Sequence, residues 1–217
     1  MEELKYHIQH VEQKMLEPLY RFCESIFADI KIPSHNHTHH LRVWEYAKEI
    51  LYALDYSTEV NYNMVESCLI ASLFHDTGFT KTTNENHGKE SREICLKYFE
   101  NNNLNKPANF DEILYAIEKH DDKEYKLNNN APTTIFSILC NADDLDAFGK
   151  IGVIRYTEIY LLRGIDINKL PEMVIKNLDK RFLNFERNFK CFSDLYIKHK
   201  SRYLTTRSFF EDLKREL

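Results

Sequence analysis

Apolar residues recur every three or four positions along nearly the whole chain, and glycine and proline number only five each. That spacing puts apolar side chains on one stripe of an α-helix, so the pattern predicts an all-α protein. The first stripe covers residues 3–30, through Val11, Met15, Leu19, Phe22, Ile26 and Ile30, with a break expected near Pro18 and a stop at Pro33. Proline lacks an amide hydrogen and clashes with the preceding turn, hence both expectations. A second helix is expected over 38–54, with Leu41, Val43, Trp44, Ala47, Ile50 and Leu51 inward. The third, over 61–75, becomes apolar all round at Leu69, Ile70, Ala71, Leu73 and Phe74, the mark of a central helix. Gly78 suits the turn that ends it.

Shorter stripes follow. A polar loop over 80–85 precedes a helix over 86–101, which the asparagine-rich stretch 101–105 breaks. Further helices are expected over 111–119, 133–146 (again core-like), 151–162, 171–184 and 188–213, with a loop over 128–132. No repeat, low-complexity linker or composition shift marks a boundary. The expectation is one helical domain over 1–217, its core at about 35–155, with the N-terminal and C-terminal helices packing on it.

Composition narrows the functional classes. The chain has 217 residues, 43 % of them hydrophobic, and a formal net charge of −5 without any basic run. Binding to duplex nucleic acid is therefore not expected, and a small anionic substrate needs positive charge supplied locally. The five cysteines (Cys23, Cys68, Cys95, Cys140, Cys191) form no CxxC, and four lie in apolar stretches. They read as buried thiols of a reducing compartment. With no apolar run near 18 residues and no secretory signal pattern, a cytoplasmic, soluble protein that engages no membrane is expected.

The residues that carry chemistry fall in three segments. The first, 34–43, holds His35, His37, His39 and His40, followed by Arg42. His39 lies at the start of an amphipathic helix; the four cannot all be ligands. The second is the doublet His75–Asp76 at the end of the most apolar helix. An aspartate directly after Leu–Phe–His is costly to bury unpaired, and a metal ion removes that cost. The third holds Asp143, Asp144 and Asp146 after the core-like run Ile–Leu–Cys–Asn–Ala. Asp143 and Asp146 share a helix side, so one can ligate while the other orients a ligand; Asp144 reads as a solvated residue. Imidazole and carboxylate in separate segments suit a divalent ion bound by nitrogen and oxygen, Mn²⁺, Mg²⁺, Fe²⁺, Co²⁺ or Ni²⁺, with Zn²⁺ also acceptable.

His39 within H-x-x-R-V, the doublet His75–Asp76 and the later Asp143 together resemble the HD-domain metal-dependent phosphohydrolase superfamily. The finer text around His35–Asn36, His39, Arg42–Val43 and 142–149 is similar to the small YedJ/YpgQ-type HD proteins, with departures at Asn36, Asn141 and Asp144. The resemblance implies an all-α helical bundle and makes His39, His75, Asp76 and Asp143 the metal ligands. His87 and His120, lying between the doublet and Asp143, give the order H, HD, H, H, D. That order resembles the binuclear branch, in which those two histidines serve a second ion and the doublet aspartate bridges. Otherwise His87 and His120 contact a phosphate or protonate a leaving group.

The implied activity is hydrolysis of a small phosphorylated substrate, a nucleotide: a triphosphate cleaved to monophosphate and pyrophosphate, or a nucleoside monophosphate dephosphorylated. A cyclic nucleotide or dinucleotide phosphodiesterase is the alternative if a second ion binds. A non-catalytic nucleotide sensor and an iron-dependent oxygenase are alternatives of other classes. Asp76 is the catalytic candidate, as ligand and as holder of the attacking water, with His87 and His120 beside it. Lys81 and Arg42 are the substrate-binding candidates, ahead of Lys89, Arg92, Lys119, Lys123 and Arg155; Tyr125 and Tyr156 are candidates for stacking on a base. His7, His10 and His199 read as solvated. The faces bearing Arg181, Phe182, Phe185, Phe189 and Phe192 are expected either to cover the core or to form a homodimer interface.

Overall fold

The computed structural model describes residues 2–30, 32–82, 87–121 and 131–217, and among them every regular element is helical. The chain divides into two compact units, Met1–Ala142 and Asp143–Leu217. The first contains α1 (Glu2–Val11), α2 (Glu17–Phe27), α3 (His37–Leu54), α4 (Tyr62–Phe74), α5 (His87–Asn101), α6 (Phe110–Lys119) and the first two turns of α7 (Ile135–Asp146). The all-α expectation holds.

Helix α4 is central in this unit. Its residues from Val65 to Phe74 are all buried, and α1, α2, α3, α5 and α6 pack around it. Its start is fixed by Asn61, whose side chain accepts from the Met64 amide at 3.0 Å, and α3 is started the same way by Asn36 on Thr38. Each cap satisfies an amide that the first turn leaves without a helical partner.

The long N-terminal stripe is interrupted by a π-helical turn, Glu12–Leu16, and not at Pro18. Pro18 falls in the first turn of α2, directly after the π turn. The wider turn re-phases the stripe so that Val11, Leu19 and Cys23 all face inward. Glu12, on the turn, accepts from Trp44 Nε1 and Lys48 Nζ, both at 2.8 Å.

Beyond α4, residues Thr77–Thr80 form a 3-10 turn. Gly78 has no positive φ there; its role differs from the helix-ending one expected of it. A Cβ on Gly78 would lie 2.0 Å from the His87 carbonyl oxygen, and one on Gly88 would lie 2.4 Å from the Glu118 carbonyl oxygen. The two glycines let the start of α5 press against the turn after α4 and against the end of α6.

The second unit holds the end of α7, α8 (Gly149–Leu162), α9 (Leu170–Phe189) and α10 (Ser193–Glu216). Leu178, Phe182, Phe185 and Phe189 carry one buried stripe of α9 past the end expected at 184, and α10 begins at Ser193 and not 188. The phenylalanines of 185–192 read equally well as the end of one stripe or the start of the next, and no glycine or proline lies between. His199, expected in solvent, is fully buried edge-on to Phe185, with Arg202 Nη1 3.0 Å from its Nδ1. No described helix is long and apolar enough to cross a membrane.

Candidate metal centre

The end of α4 delivers His75 and Asp76. The His75 amide still bonds back to the Ala71 carbonyl, so the ring is carried on the helix's last turn. Its Nδ1 lies 2.9 Å from the Ser72 carbonyl. A carbonyl only accepts, so the proton is on Nδ1 and Nε2 carries the lone pair. At the end of α6 the same device recurs: His120 Nδ1 donates to the Ile117 carbonyl at 2.7 Å, again freeing Nε2. His87, on the first residue of α5, has Nδ1 3.2 Å from an Asp121 carboxylate oxygen. His39 comes from the first turn of α3.

All four Nε2 atoms converge on Asp76, two on each oxygen. Oδ2 lies 3.1 Å from His39 Nε2 and 3.5 Å from His75 Nε2. Oδ1 lies 2.8 Å from His87 Nε2 and 2.9 Å from His120 Nε2. Within the pairs, the nitrogens of His39 and His75 are 3.0 Å apart, those of His87 and His120 3.2 Å. All five side chains are buried, His39 and His75 completely.

This donor set fits divalent cations. His120 spends its ring proton at Nδ1, so its Nε2 lone pair faces the Nε2 of His87 across 3.2 Å next to a carboxylate, an arrangement that a positive charge between them relieves. Each pair of nitrogens is close enough that one ion would be held by both. One ligand atom from each of His39, His75 and Asp76 lies within 4.8 Å of the others, and so does one from each of Asp76, His87 and His120.

The electrostatics agree. Burial by itself pushes the Asp76 carboxyl up, but the imidazoles around it, His75 and His87 first and then His120 and His39, hold it well below the usual carboxylate range. His40 behaves oppositely. Burial first, then His75 and His39, keep its pKa well below the ordinary histidine value. Its Nδ1 donates to the Leu73 carbonyl at 2.7 Å and its ring stands edge-on to Phe27. It is a neutral packing residue behind the site. His35 is likewise buried, with Nδ1 at Ser34 Oγ and the ring between His39 and Phe79.

Asp143 lies on α7 at the first position of the second unit. Cys140, one turn earlier, has Sγ 3.8 Å from the His120 carbonyl, which sets that part of α7 against the end of α6. Within the second unit, Asp143 is 3.4 Å from Arg155 Nη2 and 3.1 Å from Arg181 Nη1. Asp144, expected in solvent, is fully buried: Arg181 Nη1 donates to Oδ1 at 2.7 Å and Asn184 approaches Oδ2 at 3.5 Å. In the sequence, only its place one turn after the apolar Cys140 hinted at this.

Other candidates divide. Arg155, considered for phosphate, is buried on Asp146 at 3.0 Å. Tyr156, considered for a base, is buried with its hydroxyl donating to Asn177. Arg92 pairs with Glu93 and Glu118, and Lys119 with Glu118. Lys81 is exposed just past the 3-10 turn, and Arg42 donates to Thr38 Oγ1 at 3.2 Å. Lys123 and Tyr125 lie outside the described residues. Asp121, which the sequence reading passed over, is in direct contact with His87; its partner lies 34 residues earlier, and nothing local marks it.

A family model of the HD domain matches residues 36–147, just over half of the chain and the span from the cap of α3 to the end of α7. No curated protein and no solved structure matches it.

Proposed function

The chain belongs to the HD domain family, whose members are in general metal-dependent phosphohydrolases, and from that membership we propose that it hydrolyses a small phosphorylated substrate at a two-ion site. The observation that carries this reading is the two-by-two arrangement of Nε2 atoms on the oxygens of Asp76. His39, His75 and Asp76 Oδ2 would hold the first ion, with Asp143 assigned to them from the family order alone. Asp76 Oδ1, His87 and His120 would hold the second.

Divalent ions bound there supply Lewis acidity to a phosphoryl oxygen and to the attacking water. The chain's own residues do the rest. Asp76, kept ionised by its four histidines, ties the two halves together and can hold a water through an oxygen lone pair. Ser72 and Ile117 fix the tautomers of His75 and His120, so the ligand atoms are ready before an ion arrives. The proposed substrate is a nucleotide, and Lys81 and Arg42 are the proposed phosphate contacts.

A phosphodiesterase acting on a cyclic nucleotide or dinucleotide is the second reading, and the buried His87–His120 pair favours it. Metal-stripped protein given Mn²⁺ and a panel of nucleotides and phosphate esters, with products identified by mass and Asp76→Ala alongside, tests both. Metal-dependent turnover lost in the variant supports a hydrolase, and the product selects the branch. Nucleotide binding without turnover on any substrate favours a sensor.

A further inference from the structure

We propose that Asp121 is a positioning residue for the second half of the site: it fixes the tautomer and orientation of His87 so that His87 and His120 can hold an ion together. The inference rests on the two-ion reading above and goes beyond it in assigning a role to a residue that the H, HD, H, H, D order does not contain.

The three histidines of the doublet and the second half-site do not have equal support. His75 and His120 sit at helix ends, and each Nδ1 finds a carbonyl three residues back in its own helix. His87 is the first described residue of α5. Its Nδ1 instead meets Asp121 Oδ2 at 3.2 Å, from the residue that follows His120. The Gly88 amide points at the same oxygen at 3.4 Å. Phe79 stacks on the His87 ring at 4.2 Å between centroids and 26° between planes. Gly88 makes the approach achievable: a Cβ there would come within 3.0 Å of Asp121 Oδ1.

A carboxylate is a stronger acceptor for an imidazole N–H than a carbonyl, and it makes the far nitrogen more basic. It also holds a proton on Nδ1 against the competing carboxylate of Asp76, whose Oδ1 lies 2.8 Å from Nε2. Without Asp121 the ring can carry its proton on Nε2, which then points at Asp76 and His120 and blocks the lone pair an ion needs. His120 and Asp121 are chain neighbours, so one helix end delivers both a ligand and the group that orients the other ligand.

The experiment compares wild-type protein with Asp121→Ala and the isosteric Asp121→Asn. Histidine ring ¹⁵N spectra of the metal-free proteins report the tautomer of His87. Equilibrium dialysis against Mn²⁺ with elemental analysis counts ions and their affinities. The expected result is a proton on the Nδ1 of His87 in wild type, lost from that nitrogen in Asp121→Ala. The weaker of two Mn²⁺ affinities should fall about 10- to 100-fold in that variant, with the tighter one unchanged and Asp121→Asn between the two. Should Asp121→Ala fail to fold, Asp121→Asn decides alone: a wild-type affinity for the second ion overturns the proposal, and a drop supports it. A second-ion affinity unchanged in Asp121→Ala overturns it as well. A wild-type protein that takes up fewer than two ions overturns it through the reading it rests on, and that failure is visible without any variant.

Discussion

His75 and His120 meet edge to face, 5.0 Å between ring centroids, across the carboxylate of Asp76. One closes α4 and the other closes α6, yet each is held by the carbonyl three residues earlier in its own helix. Local helix geometry therefore sets the tautomer of both, and the packing of α4 against α6 sets the distance between them.

Asp76 is the one group common to both halves, so its loss is expected to act on both. Asp76→Ala should abolish uptake of both ions, a larger effect than the ~10- to 100-fold cost of losing an orienting partner. His39→Ala should weaken the first alone and His120→Ala the second alone. Elemental analysis after dialysis against Mn²⁺ checks all three; selective loss of one ion in Asp76→Ala would contradict a bridging role.

The metal-free protein should lose stability in acid in two stages. His40 has a folded pKa below its unfolded value, so the unfolded chain binds the proton first. Its contribution is present above about pH 6.5 and falls as pH drops from there, at no more than about 1.4 kcal/mol per pH unit. Asp76 is also depressed, and its contribution is present above about pH 4 and falls below it. Urea unfolding between pH 7.5 and 5.5 should show the first stage, and His40→Asn, whose amide nitrogen takes the place of Nδ1 and can still donate to the Leu73 carbonyl, should flatten it.

Gly78 and Gly88 should tolerate alanine poorly. The added methyl meets backbone carbonyls at 2.0 and 2.4 Å, and overpacking of this kind costs about 1–3 kcal/mol or more. Gly164 is the control: its φ is +74° and nothing lies within 4 Å of the added carbon. Gly164→Ala should cost only the conformational strain, about 1 kcal/mol. Denaturant midpoints rank the three. Gly88→Ala should in addition weaken the second ion, because it displaces Asp121 and His87.

Arg181 holds Asp143 and the fully buried Asp144 with one guanidinium nitrogen. Arg181→Met leaves the Asp144 charge uncompensated and should cost about 3–5 kcal/mol. The double variant Arg181→Met, Asp144→Leu removes both charges and should recover much of that loss. Thermal unfolding of the two variants checks this; equal losses would show that Asp144 does not depend on Arg181.

The helices from α3 to α8 were legible because their information is local. A stripe such as Val43, Ala47, Ile50 and Leu54 follows from the 3.6-residue turn whatever packs on it. The places of His39 and of His75–Asp76 were legible for the same reason: those residues sit in runs whose flanks mark a helix start and a helix end. The π-turn at Glu12–Leu16 was not, since a re-phased stripe reads as a straight one until its partners Trp44 and Lys48 are in place. Asp144 was misread as solvated because the partners that satisfy it, Arg181 and Asn184, lie far along the chain, and His199 because the ring it packs against, Phe185, belongs to another helix.

The sequence by itself determined that the chain is helical, that α4 is central, and that its end presents a histidine and an aspartate in a family's order. Only the tertiary structure decided that His87 and His120 face Asp76 Oδ1 while His39 and His75 face Oδ2, and that Asp121 stands behind His87. Periodicity fixes which side of a helix a residue occupies, but the meeting of α4, α5 and α6 depends on contacts between residues far apart in the chain. Two glycines without side chains permit that meeting, and their absence of a Cβ leaves no trace in any local pattern.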